Sequence, residues 1–465
     1  MTAAADSQQK KHPRLHPVLI MLVMLLAAVG LTHVIPSGRF ERHEKQVVAG
    51  SYHEVPKVNG LPALLAPKAP TEKDTPAKAA GVISLFASIP EGMSKEAPLI
   101  FMVLFVGGMF GVLRATGAID AAIDRLLHLA TGNVYVLAAA LMLLLAFGST
   151  FLGFISEYLA IMPLLVALGE RLKLPNIFGA AIVCVASMIG YAASVTNPIV
   201  LAVAQPLAGV PVFSGLIPRL LIFTVMFGLG LTYVLLFIRR QTKVEYIANE
   251  ARLSARHLGV LLSVAAGGAL LVTGAALWSW ATPENAAAFL AMSVLLAFVG
   301  RLKATEATDA FLGGMRSLLL AGVMIGLAGA MDVILRSSQI LDTIVQSFAH
   351  LIAGQGPGLI ASGVMMAEML FDVLIHSTSA KAAVSLPVLT PIANLGGVSG
   401  QVTVTALTLG GGLTNMVTPT NGLLLAFLAA SKVDYLEWLR FIAPLFVVLC
   451  IVGVAALYIM TGLGI

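Results

Sequence analysis

Long apolar runs, separated by short polar segments, dominate this chain of 465 residues. Most runs approach or exceed the roughly 18 apolar residues that a membrane-spanning helix needs. Two runs, at about 177–208 and 400–430, are too long for one simple span and carry polar and helix-breaking residues near their middle. The pattern predicts an all-α polytopic membrane protein with two broken helices.

The interruptions recur at a fixed distance along the chain. An offset of 224 residues relates two sets of positions: Glu157, Pro163, Thr196 and Asn197 in the first half, and Lys381, Pro387, Thr420 and Asn421 in the second. In lipid, unpaired backbone is tolerated only where protein buries it or where it lines a cavity. Matched interruptions in two apolar halves are typical of secondary transporters built from inverted repeats.

Residues 133–170 and 357–395 each consist of two apolar arms joined by a polar tip. An arm of about 16 residues measures about 24 Å as a helix, which is marginal for a hydrocarbon layer of about 30 Å. Two short spans or one re-entrant hairpin both fit this length. The charged residues at the tips, Glu157 and Lys381, favour hairpins that enter from opposite faces.

Counting crossings divides the chain into four segments. These are an N-terminal span, external loop and lead-in at 1–96; a first repeat at 97–238; a cytoplasmic linker with two connecting spans at 239–315; and an inverted second repeat at 316–465. Basic residues cluster at Lys10, Lys11 and Arg14 before the first span and at Arg239 and Arg240 after a later one. The positive-inside rule therefore predicts a cytoplasmic N-terminus in an inner, cytoplasmic membrane.

The composition narrows the class of protein further. The chain is 58% hydrophobic and 11% charged, whereas soluble proteins are about 25% charged. Its net charge of +5 indicates cytoplasmic Lys/Arg bias rather than nucleic-acid binding. Cys184 and Cys450 lie in apolar runs and suggest neither a disulfide framework nor a metal site. Because no catalytic constellation is visible, we expect a protein that is not an enzyme and has no cofactor.

The two charged tip residues are expensive to keep in a membrane. A charge at the bilayer centre costs at least about 2.5–3.5 kcal/mol on insertion scales. Glu157 and Lys381 either contact a substrate or ion, or form a buried ion pair that holds the two tips together. A third reading places one of them at the membrane interface. We favour substrate or ion contact.

Amides and hydroxyls gather at the same breaks. The N-terminus of a half-helix attracts carboxylates, and unwound carbonyls suit Na⁺. The predicted substrate-binding residues are Glu157, Thr196, Asn197, Ser377, Thr378, Ser379, Lys381, Thr420 and Asn421, and the predicted ion-coupling residues are Ser194, Thr414, Asn415, Thr418 and Asp372. Alternatively, these side chains only cap helix fragments and hydrogen-bond between helices.

Other groups near the second tip have two readings each. Glu368 and Asp372 lie one helical turn apart, so one of them either binds a proton or sodium ion or pairs with a nearby cation. His376 can titrate near neutral pH, although a lone histidine is more often structural. The run Gly410–Gly412 lacks the lysine and serine of a phosphate loop. It indicates backbone plasticity or close helix approach.

Three stretches carry a resemblance to a known family. They are Ser194–Pro198 (SVTNP), Ala204–Pro211 (AQPLAGVP) and Leu413–Thr420 (LTNMVTPT). With them the chain resembles the YfcC/DcuC-type carriers of the ion-transporter superfamily, from about Val34 through the last span. At the tips, His376–Ala382 reads HSTSAKA where the family often has PSGSGKA, and Ile155–Glu157 reads ISE where it often has GEE.

The resemblance implies an ion-coupled carrier or exchanger that is a homodimer with two hairpins at its site. The group is named for four-carbon dicarboxylate carriers and also includes candidate basic-amino-acid antiporters of the arginine/ornithine type. We therefore expect transport of a small carboxylate-bearing metabolite, with a four-carbon dicarboxylate first and a basic amino acid second. Lys381 and the helix ends would meet carboxylate, and Glu157 would meet an amine. The coupling ion is Na⁺ or a proton. A passive channel is the rival class.

Overall fold

The computed structural model describes residues 17–43, 46–48, 50–119, 121, 133–241, 254–278, 280–375 and 377–465. Several sequence-based predictions fall wholly or mainly outside these residues: the basic residues Lys10, Lys11 and Arg14, most of an amphipathic segment predicted at 118–131, most of the linker 239–257, and His376.

The described residues of the first half form a series of helices, of which the first two are separated by the polar segment 37–80. They are α1 Pro17–Val34, α2 Val82–Lys95, α3 Ala97–Ala115, α4 Val134–Phe147, α5 Met162–Arg171, α6 Ala186–Ala193, α7 Pro198–Leu207 and α8 Leu216–Arg240. A π-helical turn, Gly148–Leu152, extends α4; a 3₁₀ segment, Ser156–Ile161, precedes α5; and helical turns at Ile177–Val185 lead into α6.

The second half continues the same pattern. Its helices are α9 Ala255–Leu277, α10 Thr282–Val299, α11 Ala304–Ser317, α12 Leu319–Ser337, α13 Leu341–Ile352, α14 Pro357–Leu374, α15 Thr378–Leu395, α16 Gly400–Thr414, α17 Gly422–Ala430 and α18 Tyr435–Gly462. Within the described residues, eight helical segments are long and apolar enough to cross a membrane.

The arms of the predicted hairpins are longer than the sequence suggested. The first arm of each is helical over 19 residues, Val134–Leu152, and 18 residues, Pro357–Leu374, rather than about 16. At about 1.5 Å per residue, either arm is long enough by itself to cross. The argument from short arms is therefore wrong for these two helices, and the charged tips remain the reason to expect hairpins.

The polar segment 37–80 folds back onto the second half. It contains six two-residue strands, β1 Gly38–Arg39, β2 Arg42–His43, β3 Gln46–Val47, β4 His53–Glu54, β5 Lys57–Val58 and β6 Ala77–Lys78, with β1–β4 and β2–β3 antiparallel and β5–β6 parallel. Arg42 forms an ion pair of 2.7 Å with Asp342 at the start of α13. Ser37 donates a hydrogen bond of 2.6 Å to the carbonyl of Ser338. The segment is thus anchored to the α12–α13 turn.

Small residues allow the helices to approach closely, as is common between membrane helices. Gly107 of α3 lies against the backbone of Gly314 of α11. Gly410 of α16 packs on α14, where a Cβ atom would lie 2.6 Å from the carbonyl oxygen of Met365, and Gly412 lies against Ala192 of α6. Close helix approach is one of the two outcomes that the run Gly410–Gly412 predicts, and it places α16 between α14 and α6.

Candidate functional site

The first broken helix is interrupted where the polar cluster predicts. Helix α6 ends at Ala193, and Ser194 adopts a left-handed conformation with φ 41°. The side chain of Asn197 then accepts a hydrogen bond of 3.0 Å from the backbone N–H of Ile199 and so caps α7. Asn197 is fully buried. The asparagine satisfies one of the amide groups that a helix start leaves without a partner.

The tip of the first predicted hairpin touches this break. Thr196 donates to the tip twice: its N–H reaches the carbonyl of Thr150 at 3.2 Å, and its hydroxyl reaches the carbonyl of Phe151 at 3.2 Å. Gly153 lies so close to Asn197 that a Cβ atom would be 2.5 Å from Oδ1. The π turn and the break are therefore one polar unit, as the predicted grouping of Thr196 and Asn197 with this tip requires.

Glu157 is held by neutral groups. Its Oε2 accepts from the N–H of Ile155 at 3.1 Å, and its Oε1 accepts from the side-chain amide of Asn285 of α10 at 3.4 Å. Within the described residues no ion pair joins Glu157 to Lys381. The alternative in which these two residues hold the tips together is therefore wrong for this conformation, because each has found a different partner.

The second broken helix repeats the first. Helix α16 ends at Thr414, and Asn421 caps α17 by accepting from the N–H groups of Leu423 at 3.0 Å and Leu424 at 3.3 Å. Its amide donates to the carbonyl of Asn415 at 3.1 Å. The hydroxyls of Thr418 and Thr420 are 2.6 Å apart. Asn197 and Asn421 therefore both cap the helix that follows the break. This is the role expected if the polar side chains at the breaks serve as helix caps.

The second tip begins with a serine cap. Ser377 accepts a hydrogen bond of 3.3 Å from the N–H of Ala380, which starts α15. The hydroxyl of Thr378 hydrogen-bonds to that of Tyr191 on α6. Ser377 and Ser379 are exposed, whereas Lys381 is buried. The second tip thus meets the end of the helix that leads into the first break.

A buried ionic cluster lies behind this tip. Nζ of Lys381 donates to Oδ1 of Asp372 at 2.7 Å, with the two side chains 1% and 3% exposed. Glu368, one turn before Asp372 on α14, is fully buried, and within the described residues it forms no ion pair, with the hydroxyl of Ser385 beside its carboxyl group. Gly411 of α16 faces the pair, since a Cβ atom there would lie 2.7 Å from Nζ of Lys381 and 3.2 Å from Oδ1 of Asp372.

A cavity of about 510 Å³ lies beside the first hairpin rather than at the predicted residues. Its walls include Leu159, and two cations, Arg114 and Lys432, lie on it. Both cations are near Glu170, at 3.6 Å and 4.0 Å respectively. None of the predicted substrate-binding or ion-coupling residues lines it. The cavity is lined mainly by glycines and apolar groups of α3, α11 and α17.

Sequence reasoning missed three groups. Tyr191, in the last turn before the first break, bonds to the second tip, and Asn285, beside Glu284 at the start of α10, bonds to Glu157; their positions near other polar residues were the available signal. Arg219 is fully buried in the first turn of α8, and none of its three guanidinium nitrogens has a hydrogen-bond partner among the described residues. A basic residue at the start of a span normally indicates the membrane boundary, so its burial leaves no signal in the sequence.

The chain matches the C4-dicarboxylate anaerobic carrier family, DcuC, over residues 16–462. A candidate basic amino acid antiporter of Escherichia coli K12, YfcC, is 27% identical over 369 residues, which cover 74% of this chain and 73% of YfcC. An uncharacterised Haemophilus influenzae protein is 23% identical, over 98% of this chain and 99% of its own length.

Two solved transporter structures align over most of the chain. MtrF of Neisseria gonorrhoeae, described among antimetabolite efflux pumps, gives a TM-score of 0.44 at 18% identity, covering 95% of this chain and 94% of its own. YdaH of Alcanivorax borkumensis gives 0.45 at 17% identity, covering 97% and 99%.

The apolar helices and the family match together define a multi-pass membrane protein of a transporter class, not an enzyme. More specifically, the chain belongs to the C4-dicarboxylate anaerobic carrier family. The sequence-based resemblance to YfcC/DcuC-type carriers is confirmed.

Proposed function

We propose that the protein is an ion-coupled secondary active transporter or exchanger of a small carboxylate-bearing metabolite. A four-carbon dicarboxylate is the first substrate class. The observation that carries the proposal is the pair of helix breaks 224 residues apart, each closed by an asparagine cap, at Asn197 and Asn421. Two half-helix N-termini are a suitable pair of sites for two carboxylates.

The proposal includes inverted repeats with two re-entrant hairpins. At 357–395 the outer ends meet, with Gly397 near Pro357 and Gly396 against Ile360, so the two helices are antiparallel neighbours, and the buried charge of Lys381 near their tip favours a re-entrant hairpin over two crossings. The contacts also agree with the side of the membrane that a count of crossings from a cytoplasmic N-terminus gives to Arg114, Glu170 and Lys432. Arg114, Glu170 and Lys432 cluster, as cytoplasmic groups should.

On this basis the N-terminus is cytoplasmic, the membrane is the inner membrane, and the functional unit is a homodimer. No cofactor is required beyond a coupling Na⁺ or proton. The hydroxyls and carbonyls at Ser194, Thr414, Asn415 and Thr418 are the proposed Na⁺ ligands, since Thr414 Oγ1 is buried without a partner. Asp372 is the proposed coupling carboxylate, together with its neighbours.

The charges divide the roles of the substrate residues. Lys381 is already paired with Asp372, so the carboxylates of the substrate are held first by the N–H groups of α7 and α17 and by the hydroxyls of Thr196, Thr378 and Thr420. Ser377 and Ser379 are exposed at the tip and can donate further hydrogen bonds. The cations at the cavity rim, Arg114 and Lys432, attract anions toward the protein.

A basic amino acid is the second candidate substrate. One observation favours it: among the described residues Glu157 bonds to neutral groups and forms no ion pair, so its carboxylate suits an amino group. The 27% identity to YfcC agrees with this choice. Exchange of one amino acid for another would then replace net uptake.

Vesicles reconstituted with the purified protein test the proposal. A labelled four-carbon dicarboxylate and labelled arginine are offered separately, with and without the same unlabelled compound inside. A carrier saturates and shows counterflow for one of them, and addition of Na⁺ or of a pH gradient identifies the coupling ion. A passive channel would give flux without counterflow, and the absence of transport of both compounds would contradict the proposed substrate class.

A further inference from the structure

The buried cluster behind the second tip contains three ionisable side chains and one ion pair. Asp372 and Lys381 bond to each other at 2.7 Å, while Glu368 is 0% exposed and, within the described residues, forms no ion pair of its own; the hydroxyl of Ser385 lies beside its carboxyl group. A carboxylate buried without partners is far more costly than a neutral carboxyl, because an isolated charge loses its hydration. The geometry therefore favours an ionised Asp372, which faces Lys381, and a neutral Glu368.

The charges of the cluster balance only if one acid holds a proton. If both acids were ionised, the single positive charge of Lys381 would leave the cluster with a net charge of −1 inside an apolar bundle. Asp372 is the acid in direct contact with the ammonium, so the proton belongs on Glu368. Both residues also interact electrostatically with Lys381, and buried groups coupled in this way titrate as a unit.

Within the part of the chain that the structure describes, the helices packed on α14 bring no second cation to Glu368. On the nearest helices, the ionisable groups are Lys381 of α15 and Tyr191 of α6, and Tyr191 interacts with Lys381 and Asp372. Helix α16 has no ionisable residue.

The other helices packed on α14 carry groups that are distant or already paired. These are Cys450 of α18, one turn from the Gly453 that packs on Met365; exposed His350 of α13, bonded to Gln346; and Asp332 of α12, paired with Arg336 and Lys95.

The cluster is also closed to larger ligands. Gly410 and Gly411 of α16 cover it so tightly that even a Cβ atom at Gly411 would lie 2.7 Å from Nζ of Lys381. A Cβ atom at Gly410 would lie 2.9 Å from Cβ of Glu368. A proton fits this space without rearrangement, whereas a hydrated metal ion or an amino group of a substrate does not.

We infer that the carboxyl group of Glu368 is protonated in this closed conformation and is the group that exchanges the coupling proton. The inference rests on the proposed transport function and assigns its coupling ion. Release breaks the O–H bond of Glu368, leaves a carboxylate and passes the proton to water, while Lys381 keeps its own proton. Because the resulting net charge is costly in the bundle, release has to accompany an opening of the α14–α16 contact to water.

Infrared spectroscopy of the purified full-length protein tests the protonation without any substrate. The carbonyl stretch of a protonated carboxylic acid should disappear as the pH is raised in the wild type. It should be absent at every pH in Glu368→Gln, and it should persist in Glu437→Gln, which makes the same change at an exposed glutamate. Asp372→Asn should also remove the band, because Lys381 would then hold Glu368 in its ionised form.

Transport by reconstituted vesicles tests the coupling. For whichever probe the wild type carries, a labelled four-carbon dicarboxylate or labelled arginine, Glu368→Gln should keep counterflow. Its accumulation of the probe under a pH gradient should be about 5- to 150-fold lower than that of the wild type, which is the usual range for the coupling of two sites. Glu437→Gln should keep both activities.

The possible results separate the inference from the proposed function. An unchanged infrared band in Glu368→Gln overturns the protonation, and so does a Glu368→Gln protein that fails to fold, because an amide has nearly the shape and charge of a neutral carboxyl. Full gradient-driven accumulation by a folded Glu368→Gln overturns the coupling role. If the wild type carries neither probe, the proposed substrate class fails, while the infrared result still decides whether Glu368 holds a proton.

Discussion

The two tips share a backbone plan and differ in their charges. At the first tip, Glu157 accepts hydrogen bonds from the side-chain amide of Asn285 and the backbone N–H of Ile155. At the second, Lys381 is neutralised by Asp372, and Glu368 lies behind them. In the first half, the positions 224 residues before Glu368 and Asp372 hold Leu144 and Gly148. The repeat therefore preserves the asparagine caps, whereas the ionic cluster belongs to the second half alone.

The same asymmetry explains the glycines of α16. The run Gly410–Gly412 corresponds, at the same offset, to Ala186, Ser187 and Met188 of the first half. Side chains fit there because no ion pair faces them, and Ser187 simply donates to the carbonyl of Val183 at 2.7 Å. The comparison suggests that the first half supplies an uncompensated acid to a substrate and the second half supplies the coupling machinery.

The largest expected effect on stability comes from Lys381. Lys381→Met removes one partner of a buried ion pair, which costs about 3–5 kcal/mol of unfolding free energy. Chemical unfolding of the purified protein measures it. Glu157→Gln, which keeps an acceptor oxygen at the other tip, should cost less than about 1.5 kcal/mol.

Double variants sharpen this prediction. Lys381→Met with Asp372→Asn should recover most of the loss, because no buried charge is left without a partner. Lys381→Met with Glu157→Gln should not recover it. The reverse pattern would show that the two tips are paired with each other after all.

Gly411→Ala tests whether α16 needs its glycine because of the cluster. The new methyl group would lie 2.7 Å from Nζ of Lys381, and overpacking of this kind costs about 1–3 kcal/mol. Gly228→Ala on α8 is the matched control, since nothing lies within 4 Å of its Cβ position, and it should add about 0.4–1 kcal/mol. Equal unfolding free energies for the two variants would contradict the close contact.

The asparagine caps should behave alike in the two halves. Asn197→Ala and Asn421→Ala should each cost about 0.5–2 kcal/mol of stability and abolish most transport, because in the proposed function both half-helix N-termini meet the substrate. Asn133→Ala removes a comparable cap at the start of α4, so it should cost similar stability and leave transport intact. If both break variants transport at the wild-type rate, the asparagines are only caps.

The smallest effect is expected in the polar segment 37–80, far from the tips. Nζ of Lys57 donates to the carbonyl of Ile35 at 2.6 Å, and burial lowers the pKa of Lys57 from 10.5 to about 8. Between these values the unfolded chain binds more protons than the folded one, so stability rises with pH in this window. In Lys57→Gln, the unfolding temperature should rise less between about pH 8 and pH 10.5 than in the wild type. The same dependence of unfolding temperature on pH in both proteins would contradict the lowered pKa of Lys57.

Local sequence was enough to predict the broken helices and their polar clusters. Asparagine, threonine and proline inside an apolar run have few ways to satisfy the backbone, and Asn197 and Asn421 take the commonest one by capping the next helix. The match of residues 16–462 to the family likewise follows from linear patterns. These features depend on residues that are close in sequence, so they can be recognised without the tertiary structure.

Tertiary structure decided which charges meet. The offset of 224 suggested Glu157 as a partner for Lys381, but the turn at the second tip brings Asp372 to 2.7 Å instead, because a hairpin places residues nine apart on facing helices. The burial of Arg219 and the contact of Glu157 with Asn285 also depend on packing between distant segments. Composition and periodicity determine that a residue enters the membrane, whereas only the packed helices determine what it finds there.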